Sequence, residues 1–483
     1  MSLRLFGKNT IIYAIGAVCL RAASFVLIPL YTHCLSITDY GLLATLLITV
    51  QIMMTLMGLG MRTTLVRFAK DYEVNNRMNI LLGTSSLINL LGGLIASSLL
   101  FAFFLPFFRS VLHRSDVYQY MGLVCCAALL QSLSMHVVSY YRARGEPVQY
   151  TIAGVSTTIL LFVTSFLLIS VFELGVAGAL LASVVTHGAI LSIVSIHVFS
   201  NTGLGLSIRL VRELLRFGCP LVFSMSSELA MDAAGIYMLG YFAGLDVVAV
   251  YSLGHKFTQL LGITVVGPFS LEFQPYVFAN IHRADIREKI SRLLTYFILA
   301  MMCMAFLIVL GSRILLPVFA PPQYSSALSV MLVLLPATAF TGIYYFGETL
   351  LSAVKKTHII GFTMAACACF SVILNYILIP VLNWYGAAVS LNVSFMLAGS
   401  VVSIIGIKKL GVTLEWRRLY ILGALILFLS FILLTVRSVN PVLFAAVTLL
   451  AGSVIMSALL TLGFFHSDEI IAIKRLILKA RWA

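Results

Sequence analysis

Four ionisable residues stand in stretches otherwise too apolar to hold them. Arg21 divides an apolar run into 11–20 and 22–30, neither half long enough to cross a bilayer, and so falls near mid-membrane. Glu228 and Asp232 are four residues apart, which on a helix gives them one face. Lys256 lies in the middle of another apolar run, flanked by His255 and Gln259. Basic groups in such places can attract an anionic headgroup, and a carboxylate can change protonation during a transport cycle. Each charge at the centre of a bilayer costs at least about 2.5–3.5 kcal/mol, so the four are expected to line an interior. A structural latch, Arg21 with Asp232 or Glu228, is an alternative that can coexist with a transport role.

Other polar residues form a second tier. Glu272 and Glu348 lie toward helix ends, Arg62 opens a basic connector over 62–77, and Arg142 follows the fourth apolar run. That connector reads as an interfacial helix able to meet anionic lipid headgroups. His136, His187 and His197 stand singly and read as hydrogen-bonded core groups. The eight cysteines show no metal-ligand or disulfide spacing.

The elements that carry these residues follow from composition. Of 483 residues, 61% are hydrophobic and 10% charged, too few charges for a water-soluble surface. At about 20 apolar residues per crossing, the chain accommodates fourteen membrane helices and short connectors. Six lie between 10 and 197, six between 218 and 407, and two near 419–436 and 442–465. The N-terminal run is kept as a helix, because Arg21 interrupts it and no small-residue cleavage site follows.

The net charge of +14 does not call for nucleic acid. Only Arg109, Arg114, Arg313 and Arg437 fall in odd-numbered connectors. Apart from Arg21 and Lys256, the other basic residues are at the termini and in even-numbered connectors. This asymmetry predicts that both termini are cytoplasmic.

A shift of about 210 residues superimposes several features: Tyr31 on Tyr241, Phe68 and Ala69 on Phe278 and Ala279, Arg77 on Arg287, and Ala143 on Ala353. The expected fold is therefore all-α and polytopic, two pseudo-symmetric six-helix lobes around a central cavity, with two further C-terminal helices. The lobes are expected over 1–200 and 201–410, with 411–483 holding the last two helices and a cytoplasmic tail. Because six is even, the axis relating the lobes runs along the membrane normal. Pro220, Pro268 and Pro336 are candidate helix breaks.

No Gly-rich nucleotide loop, His-Glu-x-x-His or Gly-x-Ser-x-Gly motif is present, and no connector is long enough for a nucleotide domain. The longest external connector, about 106–119, is short for the site of a sugar polymerase. The expectation is a secondary transporter rather than an enzyme, without a cofactor or metal.

The opening segment KNTIIYAIGAVCLRAASFVLIPLYTHCLSITDYGLL carries Lys8 to Thr10, Ser24-Phe25, Pro29 to Thr32 and Asp39 to Gly41. It resembles the polysaccharide transporter family, the Wzx-type flippases of the multidrug/oligosaccharidyl-lipid/polysaccharide (MOP) superfamily. YYRARGEPVQY, LLRFGCPL and LDVVAVYSLGHKF extend the resemblance along the chain. Two positions depart from the pattern: His33 stands where Arg is usual, and Ala233 follows Asp232 where Arg often does.

The resemblance implies transfer of undecaprenyl-diphosphate-linked oligosaccharide, such as an O-antigen unit of lipopolysaccharide, across a bacterial inner membrane. Alternating access would be driven by an H+ or Na+ gradient. Arg21 and Lys256 would be the substrate cations, Asp232 and Glu228 the coupling carboxylates, and polysaccharide polymerase and chain-length proteins the partners. Competing readings are a cation-coupled multidrug exporter, a lipid-linked peptidoglycan precursor flippase and a membrane enzyme of polysaccharide assembly.

Overall fold

Hydrocarbon offers no partner for backbone amides, so apolar runs in a membrane fold as helices that satisfy their own hydrogen bonds. The computed structural model describes residues 25–74, 77–112, 117–283, 285–435 and parts of 447–464, and it is helical nearly throughout, with no strand among them. The first lobe comprises α1 (Ile28–Cys34), α2 (Ile37–Met57), α3 (Met61–Val74), α4 (Met78–Leu112), α5 (Val117–Ala143), α6 (Pro147–Phe166) and α7 (Gly175–Thr202). The second comprises α8 (Ile208–Phe242), α9 (Leu245–Leu261), α10 (Gly267–Asn280), α11 (Ile286–Phe319), α12 (Ala327–Ala353), α13 (Thr357–Leu382) and α14 (Trp384–Leu410). After these comes α15 (Trp416–Thr435). Nine described spans are long and apolar enough to cross a bilayer, and the protein is a multi-pass membrane protein.

The repeat seen in the sequence recurs in the order of elements. Helices α2 to α7 correspond in turn to α9 to α14 at a nearly constant offset. Thr38 on α2 and Asp246 on α9, whose side chains meet, are 208 positions apart. The basic connector forms the short amphipathic helix α3, as expected. It is entered through a tight turn at Leu59 and Gly60, both with positive φ (44° and 70°). Ser36 caps α2 by accepting from the Asp39 amide at 3.1 Å, and Gly411, left-handed at φ 69°, ends α14.

Several helices outrun their expected limits. Backbone helix continues through Pro106 to Leu112, which shortens the connector expected over 106–119. Helix α8 begins at Ile208 rather than near 218, because Leu210 and Leu214 bury against the first lobe while Arg209, Arg212 and Arg216 stay exposed. Helix α9 continues into α10 through a π turn at Gly262–Val266, in which the Gly267 amide bonds the Gly262 carbonyl. Pro268 follows in the first turn of α10, where its missing N–H does little harm. Of the expected first helix only the end is described, and of the fourteenth only part.

Beyond the second lobe, α15 docks on α11 through a buried ion pair. Arg418, 4% exposed, reaches Glu415 at 3.3 Å, and Glu415 accepts from the Thr295 hydroxyl at 2.9 Å. The guanidinium also lies over the rings of Tyr296 and Phe464.

Candidate functional site

The two lobes meet differently at the two faces of the membrane. At the face poor in basic residues they share one core: Tyr31, Tyr40, Leu43 and Leu46 of the first lobe pack with Leu245, Phe257, Leu316 and Tyr324 of the second. The approach is close enough that a Cβ on Gly41 would sit 1.9 Å from the Leu245 carbonyl oxygen. The Thr38 hydroxyl donates to Asp246 Oδ1 at 2.5 Å, and the Thr32 hydroxyl to the Phe319 carbonyl at 2.6 Å. Rings of Phe25, Phe257 and Phe319 complete the seal.

At the basic face the lobes keep separate cores. Met61, Leu65, Met78 and Leu81 form one with Val137 and Val198, and Phe273, Ile290, Phe346 and Leu410 belong to the other. Helix α8 crosses between the lobes. Its first turns pack in the first lobe through Leu210 and Leu214, and its remainder packs in the second through Met231, Ile236 and Leu239. Pro220 lies between these segments, where its ring removes the bond to the carbonyl four residues earlier and loosens the helix.

The charged groups of α8, α9 and α12 have tyrosine neighbours. The Tyr345 hydroxyl of α12 donates to Glu228 Oε1 at 2.5 Å, and Glu348, one turn further along α12, lies within electrostatic reach of Glu228. Asp232 is half-buried, forms no hydrogen bond or ion pair with another described residue, and faces Tyr251 of α9 electrostatically. Tyr237, also on α8, shares a 2.9 Å hydrogen bond with Thr49 of α2 and so ties the helix to the first lobe. On α9 the His255 ring is 6.2 Å from that of Tyr251. The Lys256 ammonium lies 5.5 Å from the Tyr40 ring centroid and 5.9 Å from that of Tyr31, both from the first lobe.

Asp232 is ten residues from the end of α8 and Lys256 eleven from the start of α9. Each therefore lies about 15–17 Å from the sealed face, near mid-membrane. Tyrosines thus link Glu228 with Glu348 and Asp232 with His255 inside the second lobe, and Lys256 with the first lobe. Gln259 and Glu272 are exposed further along α9 and α10, Arg62 is exposed on α3, and Arg142 is exposed at the end of α5. Gln259 shares a helix face with His255 and Lys256, four and three residues before it, whereas Glu272, Arg62 and Arg142 lie on other helices. Arg21 lies outside the described residues, and so does its pairing with Asp232 or Glu228.

His136 and His187 are core groups held by hydrogen bonds, the first to Ser85 at 3.0 Å and the second to Ser134 at 2.9 Å. Sequence reasoning missed the tyrosines. Tyr31, Tyr40, Tyr251, Tyr324 and Tyr345 each touch or face a charged group of the seam or its seal. The one available signal was their place in apolar runs near the charges, as with Tyr345 three residues before Glu348. Among the described residues, no three His, Cys, Asp or Glu side chains gather closely enough to hold a metal.

The family described as polysaccharide biosynthesis protein matches residues 6–278, more than half of the chain. The chain belongs to that family. An uncharacterized membrane protein of Methanocaldococcus jannaschii is 20% identical over 385 residues, covering 75% of this chain and 76% of the relative. Among solved structures, a MATE transporter of Vibrio cholerae superimposes with a TM-score of 0.62 at 18% identity, over 83% of this chain and 95% of the other. A multidrug resistance MATE family transporter of the MOP superfamily, in an outward-facing conformation, gives 0.61 at 16% identity, over 84% and 96%. A MOP superfamily transporter from Pyrococcus furiosus, described by the reverse polarity of its binding pocket, gives 0.59 at 16%, over 84% and 96%. The polysaccharide biosynthesis family thus adopts, in this member, a MATE-like fold.

Proposed function

We propose that the protein is a flippase that carries polyprenyl-diphosphate-linked oligosaccharide from the cytoplasmic to the outer leaflet of a bacterial inner membrane. The basic face is then cytoplasmic, as the distribution of Lys and Arg favours. The observation that carries the reading is the seam itself: sealed at one face, divided between separate cores at the other, and charged at mid-membrane. A glycan bearing many hydroxyls cannot cross hydrocarbon unaided, whereas a polar seam between two lobes can admit it while the prenyl tail stays in lipid. Lys256 supplies a cation for the diphosphate, with Arg21 as its proposed companion.

No group in the chain is assigned a chemical energy source, so an H+ or Na+ gradient is the proposed drive. Glu228, with its tyrosine donor and the neighbouring Glu348, and Asp232 are the proposed coupling groups. In the cell the delivered lipid would pass to a polysaccharide polymerase and chain-length proteins for assembly into O-antigen or a related surface polymer. The test is reconstitution in vesicles with a fluorescent undecaprenyl-diphosphate oligosaccharide, scored by access of an external quencher. Gradient-dependent exchange between leaflets supports the reading. Export of a cationic drug without movement of the lipid replaces it with a multidrug exporter.

A further inference from the structure

The seal at the charge-poor face is built around groups whose hydrogen-bonding needs it does not meet. Tyr31 and Tyr40 come from the first lobe, and Lys256 and Tyr324 from the second. The Lys256 ammonium rests against the two first-lobe rings at 5.9 and 5.5 Å, within cation–π range. Tyr324 stands edge-on to Tyr40, with ring centroids 5.7 Å apart. The hydroxyls of Tyr40 and Tyr324, on residues 1% and 0% exposed, have no hydrogen-bond partner among the described residues. Lys256 forms no ion pair there either. A buried donor without an acceptor opposes the state that buries it, and the ammonium of half-buried Lys256 lies beside the two rings. Two hydroxyls with no acceptor among the described residues, beside an ammonium, suit an anion with several acceptor oxygens.

We propose that Lys256, Tyr40 and Tyr324 form a diphosphate-responsive gate at the charge-poor end of the seam. A diphosphate oxygen that reaches Lys256 draws the ammonium off the rings of Tyr31 and Tyr40. As the lobes part, the two tyrosine hydroxyls donate to the same anion. Substrate arrival thereby weakens the contact that keeps the far side shut, so the gate opens on a loaded transporter in preference to an empty one. The inference rests on the flippase reading for its substrate, and it adds the tyrosines and the order of events.

The experiment uses the full chain in lipid nanodiscs, with its native cysteines replaced and Thr38→Cys and Asp246→Cys introduced as a disulfide reporter of the closed gate. Undecaprenyl diphosphate, inorganic pyrophosphate and undecaprenol are added separately. Undecaprenyl diphosphate is expected to lower the cross-linking rate severalfold and undecaprenol to leave it unchanged. A pyrophosphate response as well assigns the gate to the diphosphate group alone, and a response to the lipid only assigns it to the lipid-borne group. Lys256→Gln and the double variant Tyr40→Phe/Tyr324→Phe, which keeps both rings, are expected to abolish the response. An unchanged rate with undecaprenyl diphosphate, an equal effect of undecaprenol, or a full response in both variants overturns the proposal. Lipid-linked oligosaccharide transport is measured on the same protein in vesicles. Transport without a gate response rejects the gate alone, and a gate response without transport rejects the flippase reading alone.

Discussion

At the scale of single residues, the seam is a set of charges managed by tyrosines. Tyr345 illustrates the division of labour, because its hydroxyl fixes Glu228 without adding charge. Tyr345→Phe removes the donor and keeps the ring, at a cost on the order of 1.5–3 kcal/mol for a hydrogen bond to a charged group. The expected result is a protein that still inserts but whose transport responds differently to an imposed H+ or Na+ gradient. Transport rates across a series of gradients test this, and an unchanged gradient dependence removes Glu228 from the coupling role.

Arg418 makes a contrasting case, since its pair with Glu415 and the rings around it belong to the attachment of α15 rather than to the seam. Arg418→Ala removes a buried guanidinium that pairs with Glu415 and lies over two rings. It should lower stability by about 3 kcal/mol, read as an earlier thermal unfolding transition in detergent.

At the scale of elements, the contacts that shut the seam are close and backbone-based. Any side chain at Gly41 collides with the Leu245 carbonyl, so Gly41→Leu should hold α2 and α9 apart. Cross-linking between cysteines at Thr38 and Asp246 should fall strongly, with the protein still folded. Efficient cross-linking in that variant would mean that the close approach is not needed for closure. Pro220 marks where α8 passes from one lobe to the other. Pro220→Ala restores a main-chain donor inside the helix, and transport should slow while substrate binding is kept, as measured by comparing turnover with lipid binding.

These elements were legible in the sequence to unequal degrees. Apolar runs located the helices because burial in lipid demands an apolar surface, and the shared offset of features gave the repeat. The start of α8 was not legible, since Arg209, Arg212, Glu213 and Arg216 read as a connector when only one face of that helix, through Leu210 and Leu214, is buried. The run from α9 into α10 was obscured by Pro268, which reads as a break until the π turn before it is known. The charged candidates were visible because charge is rare in such a chain. Their tyrosine partners were not, because a tyrosine in an apolar run looks like ordinary core until the opposite lobe is in place.

At the scale of the whole molecule, two repeated lobes share a core at one face and keep separate cores at the other. One helix with a proline in it connects them, and Asp232 and Lys256 lie near mid-membrane between the two faces. This is the geometry that rocking of two lobes about a midplane site requires. The direct measurement is leaflet exchange of a fluorescent undecaprenyl-diphosphate oligosaccharide in vesicles holding the purified protein, with and without an ion gradient. The account predicts protein-dependent exchange that is driven by the gradient and reduced at least tenfold by Lys256→Gln. Exchange no faster than in protein-free vesicles, under every gradient tried, would contradict it.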